Sequence, residues 1–376
     1  MFLPRLCICF FLLTLVFKGY GQQKRVHELG IEIGVLPKGE LNSITDVSGV
    51  AVGHKTLVQG DSIRTGVTAI LPHEGNIFQQ KVPAAVYVGN GFGKLAGITQ
   101  VNELGNLETP IILTNTLSVP AAMDALISYT LAQDGNEDVR SVNALVGETN
   151  DGYLNNIRGR HIVQDDVLEA IRIADTSLPV EGNVGAGTGT VCFGFKGGIG
   201  TASRKLPESL GGYTVGVLVQ TNFGGVLQVA GINIGKELKQ FSFSNELLNN
   251  VDGSCMIVVA TDAPLDHRNL ERLAKRAFMG LAKTGGIASN GSGDYVISFS
   301  TANRIPYVND KRVLNQMHVP NESTSPIFMA AIEATEEAIL NSLFQAKDMV
   351  GRDGNQVKAL PVEKVKGILK KHQVIK

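Results

Sequence analysis

Ser289-Asn290-Gly291-Ser292-Gly293-Asp294 leads directly into Tyr295-Val296-Ile297-Ser298-Phe299-Ser300-Thr301. The second segment is rich in aromatic and β-branched residues and reads as a strand. Upstream, Leu270, Leu273, Ala274, Ala277, Phe278, Leu281 and Ala282 recur at helical spacing within His267–Lys283. A serine is thus held in a glycine-flanked turn at the head of a strand, where glycine permits positive φ and close approach to a reacting group. No His-Asp pair accompanies it. A serine can do without one if the peptide bond on its N-terminal side breaks. The Ser292 hydroxyl would attack the Gly291 carbonyl, and hydrolysis of the ester would free the serine's own amine. That amine titrates near pH ~7.7–8.0 and can serve as general base at neutral pH.

The same residues carry a resemblance. Asn290–Asp294 followed by Phe299-Ser300-Thr301-Ala302-Asn303 resembles the autoprocessing centre of the L-aminopeptidase D-esterase/β-peptidyl aminopeptidase family. Further blocks recur in the family's order: Leu41–Val47, Arg64–Ile70, Gly147-Glu148 with Asp151–Asn155, Gly197–Ser203 and Val217–Asn222. They extend the likeness over nearly the whole mature chain. The resemblance implies an N-terminal-serine hydrolase that assembles as homo-oligomers of two-fragment units.

The first 21 residues open with Arg5, an apolar run from Leu6 to Phe17, and small residues around Gly19 and Gly21. A short apolar core behind one basic residue predicts a secretory signal peptide over 1–21, and hence a secreted or periplasmic protein. The expected mature chain, 22–376, keeps 32 basic and 35 acidic residues once Arg5 and Lys18 are removed. That balance excludes nucleic acid and anionic membrane surfaces as expected partners. Cys192 and Cys255 remain, both in apolar runs, and predict buried free thiols, not a disulfide framework.

Strand-like runs fall at Gly49–Gly53, Val67–Leu71, Ala84–Val88, Ile111–Thr114, Val142–Val146, Thr188–Phe195, Tyr213–Gln220, Met256–Thr261 and Tyr295–Thr301. Helical patterns fall at Pro120–Ala132, Gln164–Ile173, Asn269–Lys283 and Pro326–Gln345, with Ser118 and Ser325 as expected caps. Strands in runs with helices gathered at intervals suit stacked sheets with helices outside. The resemblance implies the same α/β class, a four-layer α/β/β/α sandwich in one domain, here cut into 22–291 and 292–376.

Other motifs fail on their spacing. Gly185-Ala186-Gly187-Thr188-Gly189 runs into a strand-like stretch and lacks the third spacing of a dinucleotide fingerprint. Gly231–Lys236 is one residue short of a phosphate loop. The seven histidines are scattered without i,i+4 partners, so no metal or other cofactor is expected. Asn290 and Asp294 stand where a Gly-x-Ser-x-Gly elbow needs glycines.

Attack on an amide builds an oxyanion that needs fixed donors. Asn222, at the end of an apolar strand, can point its amide out of the sheet, and by similarity to the family it is the oxyanion donor. An aminopeptidase must also hold a cationic amine. Glu148 matches the family's acid for this purpose, although Asn150 stands where the family often has tyrosine. The family's Ser-x-Glu support falls on Thr335 and Glu337. The helical wheel half agrees: Thr335 lies in the apolar stripe of Phe328, Ala331, Ile332, Ala338, Ile339 and Leu343, Glu336 on its flank and Glu337 nearly opposite. Either that helix has two covered faces or Glu336 is the working acid. The resulting expectation is an aminopeptidase acting on small peptides or amino-acid amides and esters, of α-, β- or D-configuration. The alternatives are a same-fold amidase or acyltransferase on lactams or N-acyl amino acids, and an inactive peptide- or metabolite-binding module.

Overall fold

The computed structural model describes residues 23–242, 253–307 and 313–376. The expected signal segment lies outside them. Two sheets form the centre. The first runs in the order β1 (Ala51–Gln59), β2 (Ile63–Leu71), β4 (Ile111–Asn115), β5 (Leu145–Thr149), with Leu95–Ala96 on its edge. The second runs β6 (Ile199–Lys205), β7 (Thr214–Asn222), β8 (Ser254–Thr261), β9 (Gly293–Ser300), β3 (Gln80–Gly91), with Ile305–Pro306 beyond. Pairing is antiparallel except β4 with β5 and β8 with β9.

The alternation of strand faces explains the layering, because the central strands are apolar on both sides. In β8, Met256, Val258 and Ala260 enter the core between the sheets, while Ile257 and Val259 face the helices. β9 divides likewise, with Tyr295, Ile297 and Phe299 on the inter-sheet side and Val296 on the other. Helices α1 (Val119–Leu131) and α2 (Gln164–Arg172) cover the first sheet, burying Ala122, Ala125, Leu126 and Val167 against Val67, Ala69 and Ile112. Helices α3 (His267–Lys283) and α4 (Ser325–Phe344) cover the second. Three cores therefore separate four layers, as the sandwich requires.

Helix α3 starts at Asp266, whose side chain accepts from Asn269 N at 2.8 Å. The serines expected as caps do not act so. Ser118 makes no cap bond, and Ser325 is already inside α4, behind Thr324, whose hydroxyl donates to Asn321 O. In both places Pro at the first turn suffices to start the helix. Thr188–Phe195 is not a strand. Phe193 (φ 53°) and Gly194 (φ 76°) turn it into the tight hairpin Val191–Cys192/Phe195–Lys196. The strand expected at Val142–Val146 lies three residues later, and β6, the edge strand beneath α4, went unread. Its Gly197-Gly198 start and its Ser203-Arg204-Lys205 end mask its periodicity.

Cys192 and Cys255 are buried free thiols. Burial pushes Cys192 up to about 12 and Cys255 well above its ordinary value. Among the described residues no helix is long and apolar enough to cross a membrane.

Candidate active site

The chemistry-bearing residues collect where β4, β5 and β7 end and where β8 and β9 begin. Gln220 ties the sheets together there, its amide donating to Thr114 O at 3.1 Å, Thr149 Oγ1 at 2.8 Å and Ala186 O at 2.9 Å. Two residue pairs further along the ladder, Asn222 faces Ser254 on β8, and Ser254 faces Gly293 on β9. Asn222 is thus two strand spacings, about 9–10 Å, from the residue that follows Ser292. Its Oδ1 accepts from Val191 N at 2.9 Å, which orients the side chain and leaves its amide N–H groups without a protein acceptor among the described residues.

Ser292 is 1 % exposed, and its hydroxyl makes no hydrogen bond of good geometry. Its backbone is fixed on both sides. Ser292 N donates to Ser289 O at 2.8 Å, while Ser292 O accepts from Phe92 N at 3.2 Å and from the Asn90 amide. Asn90 also donates to Ser289 O at 2.9 Å and reaches Asn290 O at 3.4 Å, so a single side chain gathers three carbonyls of the turn. Neither Gly291 nor Gly293 takes positive φ, contrary to the expectation from the glycine flanks; that conformation falls on Ala288 (φ 44°). What Gly293 supplies is close approach, since a Cβ there would lie 2.7 Å from Phe92 O.

Glu148, near the end of β5, is 2 % exposed. Lys94 N donates to its Oε1 at 3.0 Å, the Lys94 ammonium stands 3.9 Å away, and the Thr116 hydroxyl donates to Oε2. Burial raises its pKa, opposed by Thr116 and Lys94. The link to the serine runs through Gly93: a methyl there would sit 3.3 Å from Glu148 Oε1 and 3.3 Å from Gly293 Cα. Ser292, Asn222 and Glu148 therefore meet at one end of the sandwich.

Thr335 and Glu337 are tied to other partners. The Thr335 hydroxyl donates to Ala331 O of its own helix at 2.7 Å, and its Cβ faces Gly280 of α3. Glu337 accepts from Asn42 Nδ2 at 2.7 Å and pairs with Arg204 Nη2 at 2.8 Å. Arg204 stands opposite Val215 on β7, while Ala338, next to Glu337 on the helix, packs over Gly200 opposite Val219. Burial is the largest influence on Glu337 and pushes its carboxyl up, but His27, Arg204 and Asn42 outweigh it and hold it down at about 2. Glu336 pairs with Lys283 at 2.5 Å. Both covered faces of α4 are real: the helix lies between the second sheet, α3 and the segment around 26–42, and that segment carries the partners of Glu337.

Asp294 belongs beside the serine and had no assigned role. It is 1 % exposed, and neither carboxylate oxygen makes a hydrogen bond of good geometry. Burial raises it to about 6, with the Ser292 hydroxyl and the Cys255 amide favouring its charged form. Its place in the Gly-Ser-Gly-Asp run was visible; its lack of partners was not.

Residues 42–357 match the model of peptidase family S58. The chain is 40% identical over 374 residues to the β-peptidyl aminopeptidase of Sphingosinicella microcystinivorans, covering 93% of this chain and 92% of that protein. It superposes on a Burkholderia sp. β-aminopeptidase with a TM-score of 0.86 at 40% identity, covering 93% of this chain and 99% of that one. It superposes on the L-aminopeptidase D-Ala-esterase/amidase of Ochrobactrum anthropi, described as a prototype for the serine aminopeptidases and a variant of the Ntn-hydrolase fold. There the TM-score is 0.85 at 34% identity, covering 94% of this chain and 99% of that one.

Proposed function

Because the chain belongs to peptidase family S58 and is a serine aminopeptidase of the Ntn-hydrolase type, we propose that it is made as one precursor and activated by cutting itself between Gly291 and Ser292. The observation that carries this reading is the buried, unpartnered Ser292 hydroxyl in a turn held by Asn90, one residue before Gly293 joins the row of Asn222 and Ser254. Cutting turns the Ser292 amide into an amine on the nucleophile's own residue. That amine then takes the hydroxyl proton as Oγ attacks the carbonyl of a substrate's first residue. The Asn222 amide donates to the tetrahedral oxyanion. Glu148 holds the substrate's ammonium, which takes the place of the weakly engaged Lys94 ammonium. The leaving amine departs with the proton, and water releases the acyl group.

The relatives named β-peptidyl aminopeptidase support substrates that include N-terminal β-amino acid residues. Thr335 and Glu337 are left out of the chemistry, since their partners lie elsewhere. The apolar run within residues 1–21 supports export to the periplasm or medium, and the mature unit is proposed to assemble as a homo-oligomer. Intact-mass and N-terminal sequence analysis of the purified protein beside Ser292→Ala tests the core of this. Expected are two fragments with Ser292 at one N-terminus, an uncut alanine variant, and hydrolysis of amino-acid amides that stops when the substrate amine is acetylated. A single uncut wild-type polypeptide would end the reading, and a cut alanine variant would assign the cut to another protease.

A further inference from the structure

Before the cut, the proton of Ser292 has no amine to go to. The Ser292 nitrogen is then an amide, bonded to Gly291 and donating to Ser289 O. Its lone pair is delocalised into the Gly291 carbonyl and cannot act as a base. Some other group must accept the hydroxyl proton in the first turnover of the molecule's life.

The strand geometry offers one. Along β9 the inter-sheet side takes Tyr295, Ile297 and Phe299, so Asp294 shares the helix-facing side with Val296. Cys255, its register partner on β8, lies on that side too. Ser292, one step before the strand, brings its hydroxyl to the Asp294 carboxylate. Three oxygens, Ser292 Oγ and both of Asp294, are buried and make no bond of good geometry. Leaving such groups unpaired costs ~1–3 kcal/mol each, and structures keep them so where a reaction uses them. The carboxyl, raised by burial to about 6, is mostly ionised at neutral pH and still a competent proton acceptor.

Resting on the self-cleavage reading above, we propose that Asp294 is the general base of that first cut. As Ser292 Oγ bonds to the Gly291 carbonyl carbon, Asp294 takes the hydroxyl proton. As the Gly291–Ser292 carbon–nitrogen bond breaks, it returns that proton to the departing nitrogen. The product is an ester between Gly291 and Ser292 Oγ with a free Ser292 amine. Water hydrolyses the ester, leaving the Gly291 carboxylate, and in later turnovers the amine replaces Asp294 as base.

The test follows cutting with time in full-length chains made by cell-free translation: wild type, Ser292→Ala and Asp294→Asn. Asp294→Ala carries the comparison if the asparagine variant does not fold, judged by thermal melting beside Ser292→Ala. The wild type should cut. The Asp294 variant should fold yet cut at least about 100-fold more slowly, the usual scale of general-base catalysis. Hydroxylamine, which cleaves esters, should not speed it, because no ester forms. An Asp294 variant cutting within threefold of wild type overturns the assignment. Hydroxylamine restoring its cutting does so as well, by placing the defect at ester hydrolysis. A wild-type chain that stays whole instead overturns the self-cleavage reading, and this assignment with it.

Discussion

In its proposed role, Asn222 divides its side chain between two tasks. Its oxygen is bound to Val191 N, which stops the amide from flipping and fixes which end donates. A donor fixed in advance stabilises an oxyanion without reorganising when the charge forms. Asn222→Ala is expected to lower kcat on amino-acid amides by ~10²–10³, with slower self-cutting because the first cut builds the same kind of oxyanion. A kcat within threefold of wild type would remove Asn222 from the chemistry. Glu148, in its proposed role, acts on binding instead. Glu148→Gln removes the charge and one acceptor: its amide oxygen can still accept from Lys94 N, while its NH2 can donate to the Thr116 hydroxyl in place of the bond accepted by the carboxylate. That variant should raise KM for free-amine substrates by roughly tenfold, the order of one charge-assisted hydrogen bond. An unchanged KM would move the ammonium site elsewhere.

Helix α4 shows how an element can carry acids for structural reasons. Arg204, fully buried, is held between Glu333 Oε2 at 3.0 Å and Glu337 Oε2 at 2.8 Å. A single guanidinium thereby pins the helix to β6, and the Asn42 contact pins it to the N-terminal segment. Breaking such a buried pair on one side leaves the other charge short of a partner. Glu337→Gln should therefore cost about 3 kcal/mol of stability, read as a lower urea midpoint. Lost turnover at an unchanged midpoint would return Glu337 to the catalytic role that the family likeness implies. On the opposite side of α4, Thr335 is a packing surface. A Cβ on Gly280 of α3 would fall 2.6 Å from Thr335 Cβ, so the helices cross at a glycine.

At the scale of the molecule, His54 reports on the integrity of the first sheet. Its Nδ1 pairs with Thr68 Oγ1 at 2.9 Å across the β1–β2 hairpin, and burial lowers it to about 4. The folded state thus prefers the neutral ring. The unfolded chain binds the proton first as pH falls, so stability present above pH 6.5 is lost between 6.5 and about 4. Against His54→Gln, which cannot titrate, the wild type should lose roughly 2–3 kcal/mol more on going from pH 7 to pH 4.5, measured by urea unfolding. Parallel losses in the two proteins would show that the ring is solvated. The comparison with a variant is needed because Asp151 and Glu181, both raised by burial to about 7, act in the opposite direction over part of that range.

Local pattern determined much of this protein by itself. The four helices that cover the two sheets and most central strands follow from periodicity, though the helix Val362–Lys371 does not, and Ser292 stood out as the candidate nucleophile because a turn of small residues precedes a strand that must be buried. Asn222 and Glu148 were legible as polar residues at the ends of apolar strands, with the family likeness supplying their roles. Partners across the fold were not legible. Glu337 matched a catalytic pattern in the sequence, yet Arg204, 133 positions earlier in the chain, claims it. Asp294 looked like a turn residue until its buried carboxylate proved to make no hydrogen bond of good geometry and to face the Ser292 hydroxyl. Sequence periodicity fixes which face a side chain takes on its own element; only the packing of layers decides which distant charge or hydroxyl that face meets.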